Sequence, residues 1–418
     1  MKTAEAVLGN LAGLLWGNWM LFVLLGLGAF YTIATGGIQF RSIPWIIKEF
    51  CKKDKTAEAS RDHKGTVSSI QALYMAIASC VGSGNIVGVA TALIGGGPGA
   101  LFWMWAAAFL GMATKYAEIV LGLVFRQKGA DGSYYGGPMY YIEKGLHAPL
   151  LGAAAAVLLF FQNAGGTLIQ SNTISDVAFQ VFGIPKVCTG ILVAAVMIFI
   201  IGGGLKRLAD TAQKIVPVMA SLYIAGGIVV VLTHLDSILP MLQSILQEAC
   251  SMKAGMGAAA GLTMKEAMRF GVARGLYSNE AGEGSAAVIH SAAQVDHPAR
   301  QGFYGVVDTM VICSTTGFSI LASGVPLEGA SAASLAAEAF GTVSPLFKYV
   351  VSVSLILFAS TSIMSQWYFG HVSLMYIKSL NPVSGIDFAG KPEHGRDCVV
   401  GPGLYAGAFN HSQCAGPS

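Results

Sequence analysis

Long apolar runs separated by short polar segments recur along almost the whole chain. An α-helix needs about 20 mostly apolar residues to cross the hydrocarbon core of a bilayer. Nine runs are long enough, and we refer to them as a leading helix followed by spans one to eight. They lie near residues 14–38, 68–94, 100–125, 150–182, 187–205, 213–233, 266–292, 302–325 and 344–377. The pattern predicts an all-α integral membrane protein embedded in a lipid bilayer.

The amino-acid composition argues against several classes of protein function. Only 11% of the 418 residues are charged, whereas soluble domains carry roughly 25%. A nucleic-acid binder needs a basic patch, and 25 Lys and Arg against 22 Asp and Glu leave little excess for one. We find no P-loop, HExxH or GxSxG motif in the sequence. The sequence therefore argues against a soluble enzyme and a nucleic-acid partner, and we expect no organic cofactor.

The loops between the predicted spans differ in Lys and Arg content. One set of alternate loops holds fourteen of these residues, seven of them between residues 41 and 64, and the opposite set holds five. Cytoplasmic loops carry the excess of Lys and Arg. This asymmetry predicts an external N-terminus and a long external loop at 234–265, with room for a surface helix.

Span one contains a polar and glycine-rich segment in the middle of its apolar run. Gly82 and Gly84 weaken the helix there, and Ser79, Ser83 and Asn85 supply polar side chains. Irregular backbone survives at that depth only where it lines a cavity or binds a ligand. Unwinding would free carbonyl groups for a cation and amide groups for an anion. The alternative is a close glycine contact between two unbroken helices.

Span six carries a matching segment, RGLYSNEAGEGS, from Arg274 to Ser285. Ser278, Asn279 and Glu280 are costly in lipid, although an interfacial loop between two shorter helices would also explain them. Two interrupted helices in corresponding positions are typical of transporters built from inverted repeats. Since the two segments lie five spans apart, on spans one and six, the pair favours a five-plus-five transporter fold.

Polar residues on other spans are weaker candidates. Gln170, Asn172 and Asp176 on span three could face a cavity or bond between helices. Thr361 and Ser362 on span eight could supply hydroxyl oxygens to a cation, although such hydroxyls more often bond their own helix.

The lack of a nucleotide motif indicates an ion gradient as the driving force. Oxygen ligands suit a hard cation, and a free carbonyl at Val81 with nearby hydroxyls suits Na⁺ better than a proton relay. Asp308 on span seven is an intramembrane carboxylate that fits either a cation ligand or a structural partner.

Several stretches resemble the alanine/glycine:cation symporter family, also called the sodium:alanine symporters. The most specific is GGPGALFWMW at Gly96–Trp105, followed by GMATKYAE at Gly111–Glu118. Supporting similarities lie at Val81–Ala92, Asp131–Ile142, Arg274–Gly282 and Val306–Cys313. This family is similar to the wider group with the amino-acid/neurotransmitter:sodium symporter fold.

The resemblance implies sodium-coupled uptake of small neutral amino acids, chiefly alanine with glycine as a further substrate, across a bacterial inner (plasma) membrane. It implies a substrate site formed by Gly82, Ser83, Gly84, Asn85, Gln170, Tyr277, Ser278 and Asn279. It implies a sodium site formed by oxygens of Ala78, Val81, Thr361 and Ser362. We expect alternating access at this mid-membrane site.

The sequence also departs from the family pattern. Glu283 stands where the family usually has an apolar residue, and two further helices of the family are not recognisable after about Ser379. We therefore expect an incomplete second repeat, with a transporter bundle at 1–378 and an aberrant, disordered tail at 379–418. These departures leave open a non-transporting remnant or a membrane protein that only binds amino acids. A channel is less favoured because a broken-helix site suits saturable binding.

Overall fold

A computed structural model of the chain describes residues 17–50, 67–129, 132–250, 264–307, 310–327 and 329–380, together with Gly9 and Gly13. Asp308 and almost all of the predicted tail, 381–418, lie outside the described residues.

The described residues are mostly helical, as the apolar pattern predicts. A short antiparallel pair of strands, β1 (Gln127–Lys128) and β2 (Tyr134–Tyr135), follows α5. The helices are α1 (Asn18–Ala34), α2 (Ile38–Phe50), α3 (Ser69–Cys80), α4 (Val87–Gly96), α5 (Gly99–Val124), α6 (Pro138–Leu146), α7 (Pro149–Phe182), α8 (Lys186–Ile201), α9 (Gly204–Thr233), α10 (Ile238–Cys250), α11 (Met264–Asn279), α12 (Ser285–Ser291), α13 (Pro298–Phe303), α14 (Met310–Ala322), α15 (Ala332–Gly341) and α16 (Phe347–Ser379).

The predicted leading helix is a bent pair. α1 ends at Ala34, two glycines follow at positive φ, and α2 continues at an angle of 68°. The sequence analysis assigned residues from Arg41 onward to a loop, but α2 extends to Phe50 with Pro44 inside it. Arg41 and Lys48 therefore lie in a helix, although the comparison of Lys and Arg between loops counted them as loop residues.

Within the described residues, fewer helices qualify as spans than the nine predicted. Five are long and apolar enough to cross a membrane, and seven if each of two bent pairs counts as one span. The five are Gly99–Val124, Pro149–Phe182, Gly204–Thr233, Pro298–Ala322 and Phe347–Ser379. α8 is shorter, with 16 residues, and the predicted span 266–292 is divided between α11 and α12. The structure thus agrees with an all-α membrane protein, while the five-plus-five repeat stays a prediction.

The helices pack around α3, α5 and α16. α5 contacts α1, α10, α11, α12 and α13, while α16 packs along α7 and also contacts α3 and α9. The outer faces of α7 and α8 expose large apolar side chains such as Leu150, Leu168 and Phe199. Lipid is the medium that accepts such faces. The central helices position the site described next.

Candidate functional site

The first helix break lies between α3 and α4. A capping box at Ser68 and Gln71 fixes the start of α3, and the helix ends at Cys80. Val81 and Gly82 are extended, a single 3₁₀ turn covers Ser83–Asn85, and α4 leaves at an angle of 63°. The break therefore occurs within the glycine-rich segment that the sequence singled out.

Two main-chain amides in this break bond to side-chain oxygens. The Gly82 N–H donates to Oδ1 of Asn85 at 3.0 Å, and the Ser83 N–H donates to Oε1 of Gln170 at 3.2 Å. A Cβ at Gly82 would lie 2.6 Å from Nε2 of Gln170 and 2.7 Å from Oγ of Ser362. Only glycine allows α7 and α16 to approach the break this closely.

Two residues of α14 hold Asn85, and the sequence did not predict either contact. Its Nδ2 donates to Sγ of Cys313 at 3.3 Å, and its carbonyl accepts from the Thr316 hydroxyl at 2.8 Å. Tyr223 on α9 bonds to the same Thr316 hydroxyl at 2.8 Å. Nothing in the spacing of these residues along the chain indicates that they meet at the break.

The Ser362 hydroxyl faces three carbonyl oxygens freed at the end of α3. They belong to Ala78 at 3.3 Å, Ser79 at 3.2 Å and Val81 at 3.2 Å. A hydroxyl carries one proton and can satisfy one of these carbonyls at a time. Four oxygens therefore converge with a single hydrogen among them. A group of oxygen ligands of this kind suits a hard cation.

Thr361 lies differently from its neighbour. Its hydroxyl donates to the Phe358 carbonyl at 3.0 Å and contacts Sδ of Met219 at 3.7 Å. Neither partner belongs to α3 or to the first break. Its role as a sodium ligand stays a prediction.

The second break lies between α11 and α12, in the later half of the segment Arg274–Ser285. α11 continues through Asn279, and the chain then turns at Glu280, Gly282 and Gly284, all at positive φ. Tyr277 and Ser278 are consequently helical. Glycine adopts this left-handed conformation without cost, so the spacing of Gly282 and Gly284 sets the position of the turn.

Glu280 joins the two breaks. Its Oε1 accepts a hydrogen bond from the Ser79 hydroxyl at 2.7 Å, and its Oε2 accepts one from the Ser285 hydroxyl at 2.6 Å. The Cys80 thiol also lies 3.8 Å from the Asn279 carbonyl oxygen. The sequence marked Glu280 as costly in lipid but could not show that it bridges the ends of α3 and α12.

The three predicted residues at the end of α11 occupy different surroundings. The Tyr277 ring packs against Gly84 and is 46% exposed. Ser278 is buried and lines a small cavity of about 10 Å³ together with residues of α5 and α14. Asn279 donates to the Ala108 carbonyl at 3.3 Å, so its amide faces α5. The Tyr277 side chain thus contacts the first break.

On α7, the structure separates Gln170 from the other two polar residues considered with it. Gln170 is buried against the first break, whereas Asn172 donates to Asp176 at 2.9 Å on an exposed face. Asp176 also pairs with Lys186 at 2.5 Å. Asn172 and Asp176 therefore bond locally on the helix surface. Among the described residues no cluster of three His, Cys, Asp or Glu could hold a metal ion.

Together these features define a multi-pass helical membrane protein with two interrupted helices that meet at a polar centre, an arrangement typical of secondary transporters. The chain belongs to the sodium:alanine symporter family, whose sequence model matches residues 1–386. Members of this family are transporters, so the chain is a transporter and not an enzyme.

Relatives of known sequence support this assignment. The chain is 39% identical to an uncharacterized transporter of Haemophilus influenzae, over 91% of this chain and 84% of that protein. It is 38% identical to the sodium/alanine symporter AgcS of Methanococcus maripaludis, over 87% and 81% of the two chains. It is 34% identical to the probable sodium/glutamine symporter GlnT of Bacillus subtilis, over 89% and 77%.

Proposed function

We propose that this protein imports alanine, with glycine as a further substrate, by sodium symport across a bacterial inner membrane. One observation carries the proposal: the break between α3 and α4 presents amide donors on one side and a set of convergent oxygens on the other. An amino-acid carboxylate needs the donors, and a cation needs the oxygens.

In this proposal the substrate carboxylate binds the amides of Gly82 and Ser83, beside Gly84 and Asn85. Those amides lie between the end of α3 and the start of α4, where backbone donors favour an anion. The ammonium group binds toward the end of α11, at Ser278 and Asn279, because a helix C-terminus carries partial negative charge.

The space around the first break favours a small side chain. Gln170 and Ser362 approach Gly82 so closely that a methyl group at that position would collide with them. The Tyr277 ring closes the other side, 3.3 Å from the place of a Cβ at Gly84. Alanine and glycine suit this spacing better than glutamine, the amino acid in the name of the GlnT relative.

The sodium ion binds, in this proposal, among the carbonyls of Ala78 and Val81 and the hydroxyl of Ser362, with Thr361 as a further predicted ligand. The ion would relieve the mutual repulsion of oxygens that share one hydrogen. Because the cation and the carboxylate bind at the same break, each stabilises the other, which is the basis for coupling. Rocking of one predicted repeat against the other would then expose the site to each side in turn.

Uptake into proteoliposomes tests the proposal. We expect ¹⁴C-alanine to accumulate under an inward sodium gradient and to stop accumulating when potassium replaces sodium. Asn85→Ala should reduce uptake strongly, whereas Asn172→Ala, an exposed asparagine on α7, serves as the matched control. Equal uptake in sodium and potassium would refute the coupling. Binding of alanine without any flux would instead support a binding-only protein.

A further inference from the structure

Arg274 occupies an unusual place on α11. It is partly buried, its guanidinium carbon lies 5.9 Å from the centre of the Tyr277 ring, and one of its nitrogens lies 3.5 Å from where a Cβ at Gly88 would be. The side chain therefore lies over α4, the helix that leaves the first break.

The two helices meet in register at this point. Gly84 packs against Tyr277, and Gly88 packs against Arg274. The two glycines are one helical turn apart, and so are Arg274 and Tyr277 on α11. Tyr277 lies at the break, so Arg274 lies one turn away from it along α4. The loop before α11 is predicted to be external, which places Arg274 between that side and the break.

The charge of Arg274 has no acidic partner among the described residues. The ion pairs found there are Lys186 with Asp176 and Arg300 with Asp296. An arginine within a membrane-spanning region is costly, and residues of this kind usually mark a pathway for substrates or ions. The ring of Tyr277 offsets part of this cost by a cation–π contact but leaves the guanidinium donors available.

We propose that Arg274 and Tyr277 form an outer binding step that receives the carboxylate of the incoming amino acid before it reaches the first break. This inference rests on the proposed function and adds a second site to it. A guanidinium binds a carboxylate through two parallel hydrogen bonds. The amides of Gly82 and Ser83 then take over the carboxylate as it passes the Tyr277 ring.

Kinetics in proteoliposomes test the outer step, with Arg274→Gln as the main variant. Loss of one charge-assisted contact should raise the KM for alanine about tenfold, with a much smaller change in maximal rate. Propionate, which has a carboxylate and no amine, should also inhibit the variant less than the wild type, while ethylamine should inhibit both equally. Arg269→Gln is the matched control, because Arg269 lies on the same helix and is exposed beside Phe270.

The outcomes separate this inference from the proposed function. If the wild type shows no sodium-dependent uptake, the proposed function fails first. If the wild type transports alanine and Arg274→Gln keeps the same KM and the same inhibition by propionate, the outer step is refuted while symport stands. Arg274→Met, which is less costly in lipid, replaces the glutamine variant if that protein does not fold, and the same two readouts decide.

Discussion

At the scale of single residues, the first break depends on one missing side chain. Gly82 lets the amide of Gln170 and the hydroxyl of Ser362 approach the main chain from two different helices. The sequence could predict that Gly82 and Asn85 lie in a break, because glycine and polar residues interrupt an apolar run. It could not predict that Cys313 and Thr316 hold Asn85, because these contacts join residues more than 200 positions apart.

Replacement of Gly82 by alanine should abolish alanine uptake and lower the melting temperature of the purified protein. The new methyl group would overlap Gln170 and Ser362, and overpacking of this kind costs about 1–3 kcal/mol. Gly165→Ala is the control, since a Cβ at Gly165 meets nothing within 4 Å. Normal uptake by Gly82→Ala would show that the break does not bind substrate in this conformation.

Replacement of Ser362 by alanine should weaken the dependence of transport on sodium. The variant keeps the carbonyls of Ala78 and Val81 but loses the hydroxyl that converges with them. We expect the sodium concentration for half-maximal uptake to rise about tenfold, the effect of losing roughly 1.4 kcal/mol. Ser373→Ala removes a hydroxyl on the same helix that bonds only to the Phe369 carbonyl, and its sodium curve should match that of the wild type.

At the scale of helices, sequence reasoning located both interruptions, and the second one occupies only the later half of the segment Arg274–Ser285. The earlier half stays helical, because α11 continues through Asn279. The chain turns only at Gly282 and Gly284 and the residues beside them, because glycine adopts positive φ readily. Polarity shows where a helix is costly in lipid, whereas glycine decides where the chain can turn.

Replacement of Glu280 by glutamine should destabilise the contact between the two breaks. Glu280→Gln replaces one acceptor oxygen by an amide, so Ser79 and Ser285 can no longer both donate to it. Because a buried serine hydroxyl would then lose its acceptor, we expect a loss of about 1–3 kcal/mol in the free energy of unfolding, measured by thermal unfolding in detergent. Glu266→Gln, at the first turn of the same helix, is the control.

A double-mutant cycle assigns the Glu280 effect to its partner. If Ser79→Ala and Glu280→Gln act through the same hydrogen bond, their combined effect should be smaller than the sum of the two. Strictly additive effects would contradict the bridge between the breaks.

At the scale of the whole molecule, the hydropathy pattern predicts the fold class, whereas the bounds of single helices differ from those of the predicted spans. A run of apolar residues cannot show a bend, so the pair α1 and α2 was read as one helix followed by a loop. The predicted span 266–292 carries Glu266, Arg269, Arg274, Glu280 and Glu283, and it fails as a continuous apolar helix. The inverted repeat and the tail at 379–418 stay predictions.

Labelling of single cysteines in intact cells tests the predicted orientation. Cys250 ends α10 and is exposed, and α10 lies in the segment predicted to be external. A maleimide that cannot cross membranes should therefore label a variant that keeps only Cys250 without permeabilisation. A variant that keeps only Cys51, in the loop predicted to be cytoplasmic, should react only after the cells are opened. The opposite result would reverse the topology.

The hydrogen bonds of Gly82 and Ser83 have a consequence for turnover. Both amides already donate to oxygens of Asn85 and Gln170, so an arriving carboxylate exchanges with these oxygens and gains only the difference between two bonded states. The net affinity is then modest even though each individual contact is strong. A modest net affinity favours fast turnover in a transporter, because the substrate then dissociates readily after it has crossed the membrane.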